Sequence, residues 1–184
     1  SLVKVFGVSV ETIRKDLLQM EAEGRISRVH GGAVAKADMR PYFHLQKRNT
    51  QFAQRKRVLS RKAMEYICQG DVIGIDSGST ATFFAETLKE HFSELTIVTH
   101  SSDVFEILRH HKNFSVILCG GHYLKNENAF YGSLTMDMLS NLHVQKTFIF
   151  PGSVSLEQGI CDNQSDLCQI QRQLIRSSDK VFVL

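Results

Sequence analysis

The spacing of apolar residues changes along the chain, and each change marks a different kind of element. Leu2, Val3 and Phe6 sit at helical spacing, and Gly7 closes that group. Val10, Ile13, Leu17 and Met20 come next, three and four apart, so they line one face of a second helix. Ser9 stands where an N-cap belongs, and Gly24 where a left-handed C-cap belongs. The rhythm then shortens to alternation through "RISRVHGGAV". Gly31-Gly32 separates two β-capable runs there, which predicts a tight hairpin. Two helices around a short turn containing glycine form a helix-turn-helix pattern, and the hairpin directly after them reads as the wing of a winged helix.

Residues 36–53 keep no sustained period, and Pro41 discourages helix at Arg40. Tyr42, Phe43 and Leu45 are too apolar for a free tether, so part of this segment is expected to dock on the larger domain C-terminal to it. Residues 54–70 read as a helix ended by Gly70, with Val58, Leu59, Ala63, Met64 and Ile67 as its apolar face. Its basic residues, Arg55, Lys56, Arg57, Arg61 and Lys62, are expected in solvent.

From Asp71 onward, short β-like runs alternate with helical stretches. The runs are Val72–Ile75, Leu95–Val98, Val116–Cys119, Thr147–Phe150 and Val181–Leu184. That alternation predicts a doubly wound, mainly parallel α/β sheet. The expected division is an incomplete winged helix-turn-helix over 1–35, a linker over 36–53 and an α/β domain over 54–184.

Charge sharpens this division. The 184 residues carry a net +3, but residues 1–62 hold 14 Lys and Arg against 5 Asp and Glu, while the rest hold 8 against 14. A basic front half suggests a polyanion partner. In the first turns of the second helix, Glu11, Thr12, Arg14 and Lys15 lie off the apolar stripe. Recognition helices present such positions to base edges, where Arg pairs with guanine and Lys or Thr holds phosphate. Arg28 and His30 would line the wing. Hydrophobic residues make up 42% of the chain, with no run long enough for a membrane span and no signal-peptide layout, so a cytoplasmic location is expected. The four cysteines form no C-x-x-C pair and lack histidines at zinc spacing. Neither a metal nor a cofactor is expected, and Cys119 reads as a buried thiol.

The predicted strand ends collect one kind of residue. Asp76, Ser77, Gly78, Ser79 and Thr80 come after the first strand, Thr99 and His100 after the second, Gly120 and Gly121 after the third, and Gly152 after the fourth. Glycines let backbone N–H groups approach an anion, hydroxyls add donors, and a helix N-terminus adds favourable partial charge. No Walker lysine and no G-x-G-x-x-G accompany them, so one phosphate on a small molecule fits better than ATP or a dinucleotide. Candidate bases exist in Asp76, His100, His122, Asp162 and Asp166, but none forms a recognisable catalytic pair.

"VSVETIRKDLLQMEAEGRISRVHGGAV" resembles the DNA-binding signature of the DeoR family of bacterial transcriptional regulators. "GDVIGIDSGST", "TIVTHSSDV", "VILCGGHY", "AFYGSLT" and "FIFPGSV" look like successive motifs of that family's sensor domain, itself similar to ribose-5-phosphate isomerases. The resemblance implies that Ser9 and Arg14 with their neighbours touch operator DNA and that the effector is a phosphorylated sugar. It also implies that Tyr131 and Gly132 shape the pocket. It places the family's first helix upstream of Ser1 and its last strand-and-loop region beyond Leu184. His100 stands where many members carry Asn, and Gln169 and Gln171 stand where members carry Glu and Lys. The resulting expectation is a non-enzymatic, homo-oligomeric, effector-controlled repressor without membrane contact. The alternative is an isomerase-like enzyme.

Overall fold

The computed structural model describes residues 2–23, 26–29, 32–35, 45–162 and 164–184. The chain divides into two compact units, Ser1–Tyr42 and Phe43–Leu184.

In the first unit, α1 (Leu2–Phe6) and α2 (Val10–Ala22) precede an antiparallel pair, β1 (Ile26–Val29) and β2 (Gly32–Ala35). Gly7 turns the chain between the helices at φ +64°, a conformation glycine adopts without a Cβ penalty. The Ser9 hydroxyl accepts from the Thr12 amide at 3.1 Å and so caps α2. Neither helix has a buried residue. Ile13, Leu17 and Met20 are only half-buried, and Val10 is exposed. The expected C-cap Gly24, the turn glycine Gly31, the side chain of Arg28, and His30 lie outside the described residues.

The second unit opens with α3 (Leu45–Thr50), α4 (Ala53–Ala63) and a 3-10 turn at Met64–Tyr66. Then come β3 (Val72–Ile75), α5 (Ser79–His91), β4 (Leu95–Thr99), α6 (Ser102–Leu108) and β5 (Phe114–Leu118). A hairpin of β6 (His122–Leu124) and β7 (Ala129–Tyr131) leads into α7 (Ser133–Ser140) and β8 (Val144–Ile149). A second hairpin, β9 (Ser153–Ser155) and β10 (Gly159–Cys161), precedes α8 (Ser165–Arg176) and β11 (Ser178–Val183).

The central sheet has the order β11-β8-β3-β4-β5, and every pair is parallel. The chain runs outward from β3 to β5, then crosses back to the other side of β3. The reversal puts the topological switch point between β3 and β8, where a doubly wound sheet opens a crevice. Phe84 and Leu88 of α5 with Val104 and Leu108 of α6 pack against Ile73, Ile75 and Phe148. Leu139 of α7 with Ile170 and Leu174 of α8 pack with Val98 and Val144 in a separate cluster. Burial on both faces explains why the strands read as continuous apolar runs rather than alternating ones.

Several sequence expectations need correction. β5 spans Phe114–Leu118, so Cys119 lies just past its end. β8 and β11 each begin three residues before the apolar run that marked them. The hydrogen-bonded ladder carries half-exposed Lys146 and exposed Lys180 as readily as apolar residues. Neither hairpin was anticipated, although each turn holds a residue suited to positive φ, Asn128 at +48° and Gly159 at +70°. α3 forms within the segment that showed no period, and Leu45 is 3% exposed there. The inner face of α4 was also misread: Val58 and Leu59 are exposed, while Ser60, Ala63, Met64 and Ile67 are buried. Lys56, one turn before Ser60, therefore faces inward rather than into solvent.

A Cβ on Gly121 would stand 2.2 Å from Thr135 Oγ1 and 2.6 Å from the Tyr131 carbonyl oxygen. The second neighbour is backbone and cannot rotate away. Gly121→Ala is expected to destabilise the unit by about 1–3 kcal/mol through overpacking. Urea unfolding checks this, and an unchanged midpoint would mean that the β6–β7 hairpin shifts aside freely.

Candidate functional site

The switch-point edge is built around Asp76, the first residue past β3. Its carboxylate is fully buried. Oδ2 accepts from the Phe150 amide at 3.1 Å and from Gln171 Nε2 at 2.9 Å, while Oδ1 lies 3.0 Å from His100 Nε2. The other His100 ring nitrogen lies 2.8 Å from the Phe130 carbonyl. A carbonyl only accepts, so Nδ1 carries a proton. Nε2 faces a carboxylate oxygen, so that pair must share a further proton. Asp76 thus ties β3, the residue after β8, the residue after β4, and α8 into one knot.

The structure distributes the sequence-predicted residues unevenly. Thr99 donates to the Ile75 carbonyl at 2.8 Å and accepts from the Ser101 amide at 3.1 Å, so its hydroxyl is spent beneath the surface. Gly121 and Gly132 serve close approaches, to Thr135 and the Tyr131 carbonyl and to the His122 ring respectively, while Gly120 gives its carbonyl to Thr135 Oγ1 at 3.0 Å. Tyr131 is half-buried in β7 and its ring lies 5.8 Å from that of His122. Gly152 is exposed, with Asp162 close behind it. Of the two glutamines, Gln171 is buried against Asp76, whereas Gln169 is exposed.

The loop from Ser77 to Thr80 is different. Gly78 adopts φ +118° and precedes α5, so the first amides of that helix open at the sheet edge. Ser77 is 4% exposed, and its hydroxyl has no hydrogen-bond partner among the described residues. Lys56 of α4 reaches this loop, its ammonium donating to Ser79 Oγ at 2.9 Å and to the Arg48 carbonyl of α3 at 2.5 Å. Burial, followed by the nearby Arg48 charge, holds the Lys56 pKa below the ordinary lysine value. An anion beside the ammonium would offset both, because it favours the charged form. Lys56 is the candidate site residue that sequence reasoning missed. The available signal was its spacing of four, seven and eight residues from Ser60, Ala63 and Met64.

Carboxylates also gather around this edge. The Asp162 carboxyl is pushed up mainly by burial and further by Asp76 and Glu127. Glu127, 2% exposed, pairs with Arg48. An open groove of about 790 Å³ lies elsewhere, lined by Glu86, Asp103, Glu106, His110 and others, and includes none of the predicted effector residues. Burial pushes the Cys119 thiol up to about 11, which keeps it neutral. No group of three acidic, His or Cys side chains among the described residues is arranged to hold a metal.

In the first unit, Glu11, Thr12, Arg14 and Lys15 are all exposed on the N-terminal half of α2. Arg14 pairs with Glu11 at 2.9 Å. Residues 1–38 match the model of the DeoR-like helix-turn-helix domain, and residues 51–184 match that of the DeoR C-terminal sensor domain. The chain belongs to the DeoR family of transcriptional regulators.

Relatives within the DeoR family span the full length of this chain and more. An uncharacterized HTH-type transcriptional regulator of Bacillus subtilis, YulB, is 32% identical over 183 residues, which cover 100% of this chain and 70% of the relative. The L-fucose operon activator of Haemophilus influenzae is 30% identical, over 96% of this chain and 70% of its own. The lactose phosphotransferase system repressor of Staphylococcus aureus is 32% identical, over 100% and 73%. Among solved structures, a D-ribose-5-phosphate isomerase bound to phospho-erythronic acid superposes with a TM-score of 0.51 at 14% identity. The match covers 71% of this chain and 51% of the isomerase, about half its length, and establishes a shared fold. No helix among the described residues is long and apolar enough to cross a membrane.

Proposed function

We propose that this DeoR-family chain is a cytoplasmic, homo-oligomeric repressor whose operator affinity is set by a phosphorylated sugar bound at the β3–β8 edge of the sensor unit. The observation that carries this reading is the Lys56 ammonium at Ser79, beside the unpartnered Ser77 hydroxyl and the N-terminus of α5. A cation, free hydroxyl and open helix amides together suit a phosphate. Asp162 and Gly152 then lie toward the sugar hydroxyls. The relatives named after fucose and lactose systems support a sugar-linked role, and one of them is a repressor by name. On the DNA side, Ser9, Glu11, Thr12, Arg14 and Lys15 supply the operator contacts from α2, with Arg28 and His30 on the wing.

The reading favours sensing over turnover. A general base must reach a substrate proton. Both oxygens of Asp76 already face protein donors, both His100 nitrogens are engaged, and neither residue is exposed. Operator affinity responds to the sugar only if the two DNA-binding states bind it differently, typically by about 5–150-fold.

A thermal-shift screen of paired sugars and sugar phosphates tests the proposal. A hundredfold excess over Kd adds about 2.7 kcal/mol, which raises Tm by about 5–10 °C for a chain of this size. Only phosphorylated members are expected to act, and Lys56→Met is expected to abolish the shift. Affinity should be full below the lowered Lys56 pKa and fall as pH rises through it, because the bound anion favours the charged lysine. Lys56→Arg should flatten that alkaline limb. Equal shifts from unphosphorylated sugars would remove phosphate from the reading, and sustained turnover of ribose 5-phosphate would make the chain an enzyme.

A further inference from the structure

Lys56 touches two things at once. One is the loop assigned to phosphate in the proposed function, and the other is α3, the first described element after the boundary between the two units. An ammonium has three N–H donors. Ser79 Oγ takes one and the Arg48 carbonyl a second, while the third meets no nitrogen or oxygen acceptor among the described residues, the Phe83 ring centroid lying 5.8 Å from the ammonium. The same ammonium lies close enough to the Arg48 side chain for their like charges to repel.

α3 is short. It has six residues, with Leu45 its only buried one. Its further ties include the Arg48–Glu127 ion pair and the Lys56 bond to its last turn. The junction to α4 is strained, because Phe52 adopts φ 53° and ψ 28°, a left-handed conformation costly for an aromatic residue, with its side chain 64% exposed. α3 is thus a short helix followed by a strained junction, and Lys56 ties it to the loop.

We propose that Lys56 couples the effector to the DNA-binding unit: an anion at Ser77–Thr80 accepts a hydrogen bond from the third Lys56 N–H and, through Lys56, locks α3 onto the sensor. The inference rests on the phosphate-site reading and adds its consequence. With the anion bound, the repulsion between Lys56 and Arg48 is offset and the bond to the Arg48 carbonyl is reinforced. Without it, α3 is released more often. Among the described residues, the fixed structure of the sensor then begins at Ala53 rather than at Leu45. That is a differential contact of the kind a ligand needs to shift a population.

Hydrogen–deuterium exchange on the 184-residue chain, with inorganic phosphate as the probe and sodium chloride at equal ionic strength as control, tests the coupling. Calorimetry run alongside reads phosphate binding independently. Saturating phosphate is expected to slow exchange across residues 45–50 by about tenfold, the effect of one charge-assisted hydrogen bond. Lys56→Gln should show fast exchange there with or without phosphate, and Lys56→Arg should restore the response. Saturable phosphate binding with unchanged exchange at 45–50 would overturn the coupling and leave the site reading intact. Absence of saturable phosphate binding to the wild-type chain would overturn both.

Discussion

Asp76→Ala is expected to lower the unfolding free energy of the sensor unit by about 3–5 kcal/mol, the range for removing one partner from a buried, hydrogen-bonded charge pair. The substitution orphans three groups together: the Phe150 amide, the Gln171 side-chain amide and His100 Nε2. None can reach water by itself, because Asp76 and His100 are fully buried and Gln171 is 5% exposed. Each buried donor left without an acceptor costs about 1–3 kcal/mol. Against a total of about 5–15 kcal/mol for a typical domain, such a loss leaves the unit marginal. Asp76→Asn should recover much of the loss. Its oxygen can accept from the Phe150 and Gln171 amides, and its NH2 group can donate to Nε2 of a neutral His100 whose proton sits on Nδ1. Urea unfolding followed by circular dichroism measures both variants. A loss under about 1 kcal/mol for Asp76→Ala would show that the knot is not a keystone.

Arg14→Ala is expected to weaken operator binding by about 5–150-fold, the value of one bidentate arginine–guanine contact worth about 1–3 kcal/mol. The side chain is 64% exposed, on the second turn of α2. Its one partner, Glu11, is 80% exposed and three residues away. A surface pair of this kind contributes little to stability, so the guanidinium is readily transferred to DNA. Folding should therefore be unaffected, and binding to random-sequence DNA should fall far less than binding to operator. Arg14→Lys should not restore specificity, because an ammonium lacks the planar fork. Fluorescence anisotropy on operator and scrambled duplexes at one salt concentration separates these outcomes. Equal losses on both duplexes would make Arg14 a phosphate contact rather than a base reader.

The legible part of this protein lies where local rules act alone. Ser9 was readable as a cap because a hydroxyl before an apolar-periodic run serves the third amide beyond it, and its bond to Thr12 is the outcome. The loop from Asp76 to Thr80 was readable because a small-residue turn between strand and helix leaves helix amides open. What stayed hidden needed partners distant in sequence. Lys56 and Ser79 are 23 residues apart, and Asp76 and Gln171 are 95 apart. Periodicity narrowed α4 to an apolar face but misplaced its phase, because Val58 and Leu59 outweigh Ser60 in hydrophobicity. The small Ser60 is fully buried, while the larger pair faces out.

The sequence by itself therefore determined the two-part plan, the parallel sheet, the helix-turn-helix and the family, all carried by contiguous motifs and short-range spacing. Only the tertiary structure decided that β8 returns to lie against β3. That single choice brings Phe150 and Gln171 onto Asp76 and turns a candidate ligand contact into a buried knot. It likewise decided that Lys56, one of five basic residues on one short helix, stands at the loop before α5. Strand order and helix phase are settled by burial of both sheet faces at once, a condition no local window of the chain contains.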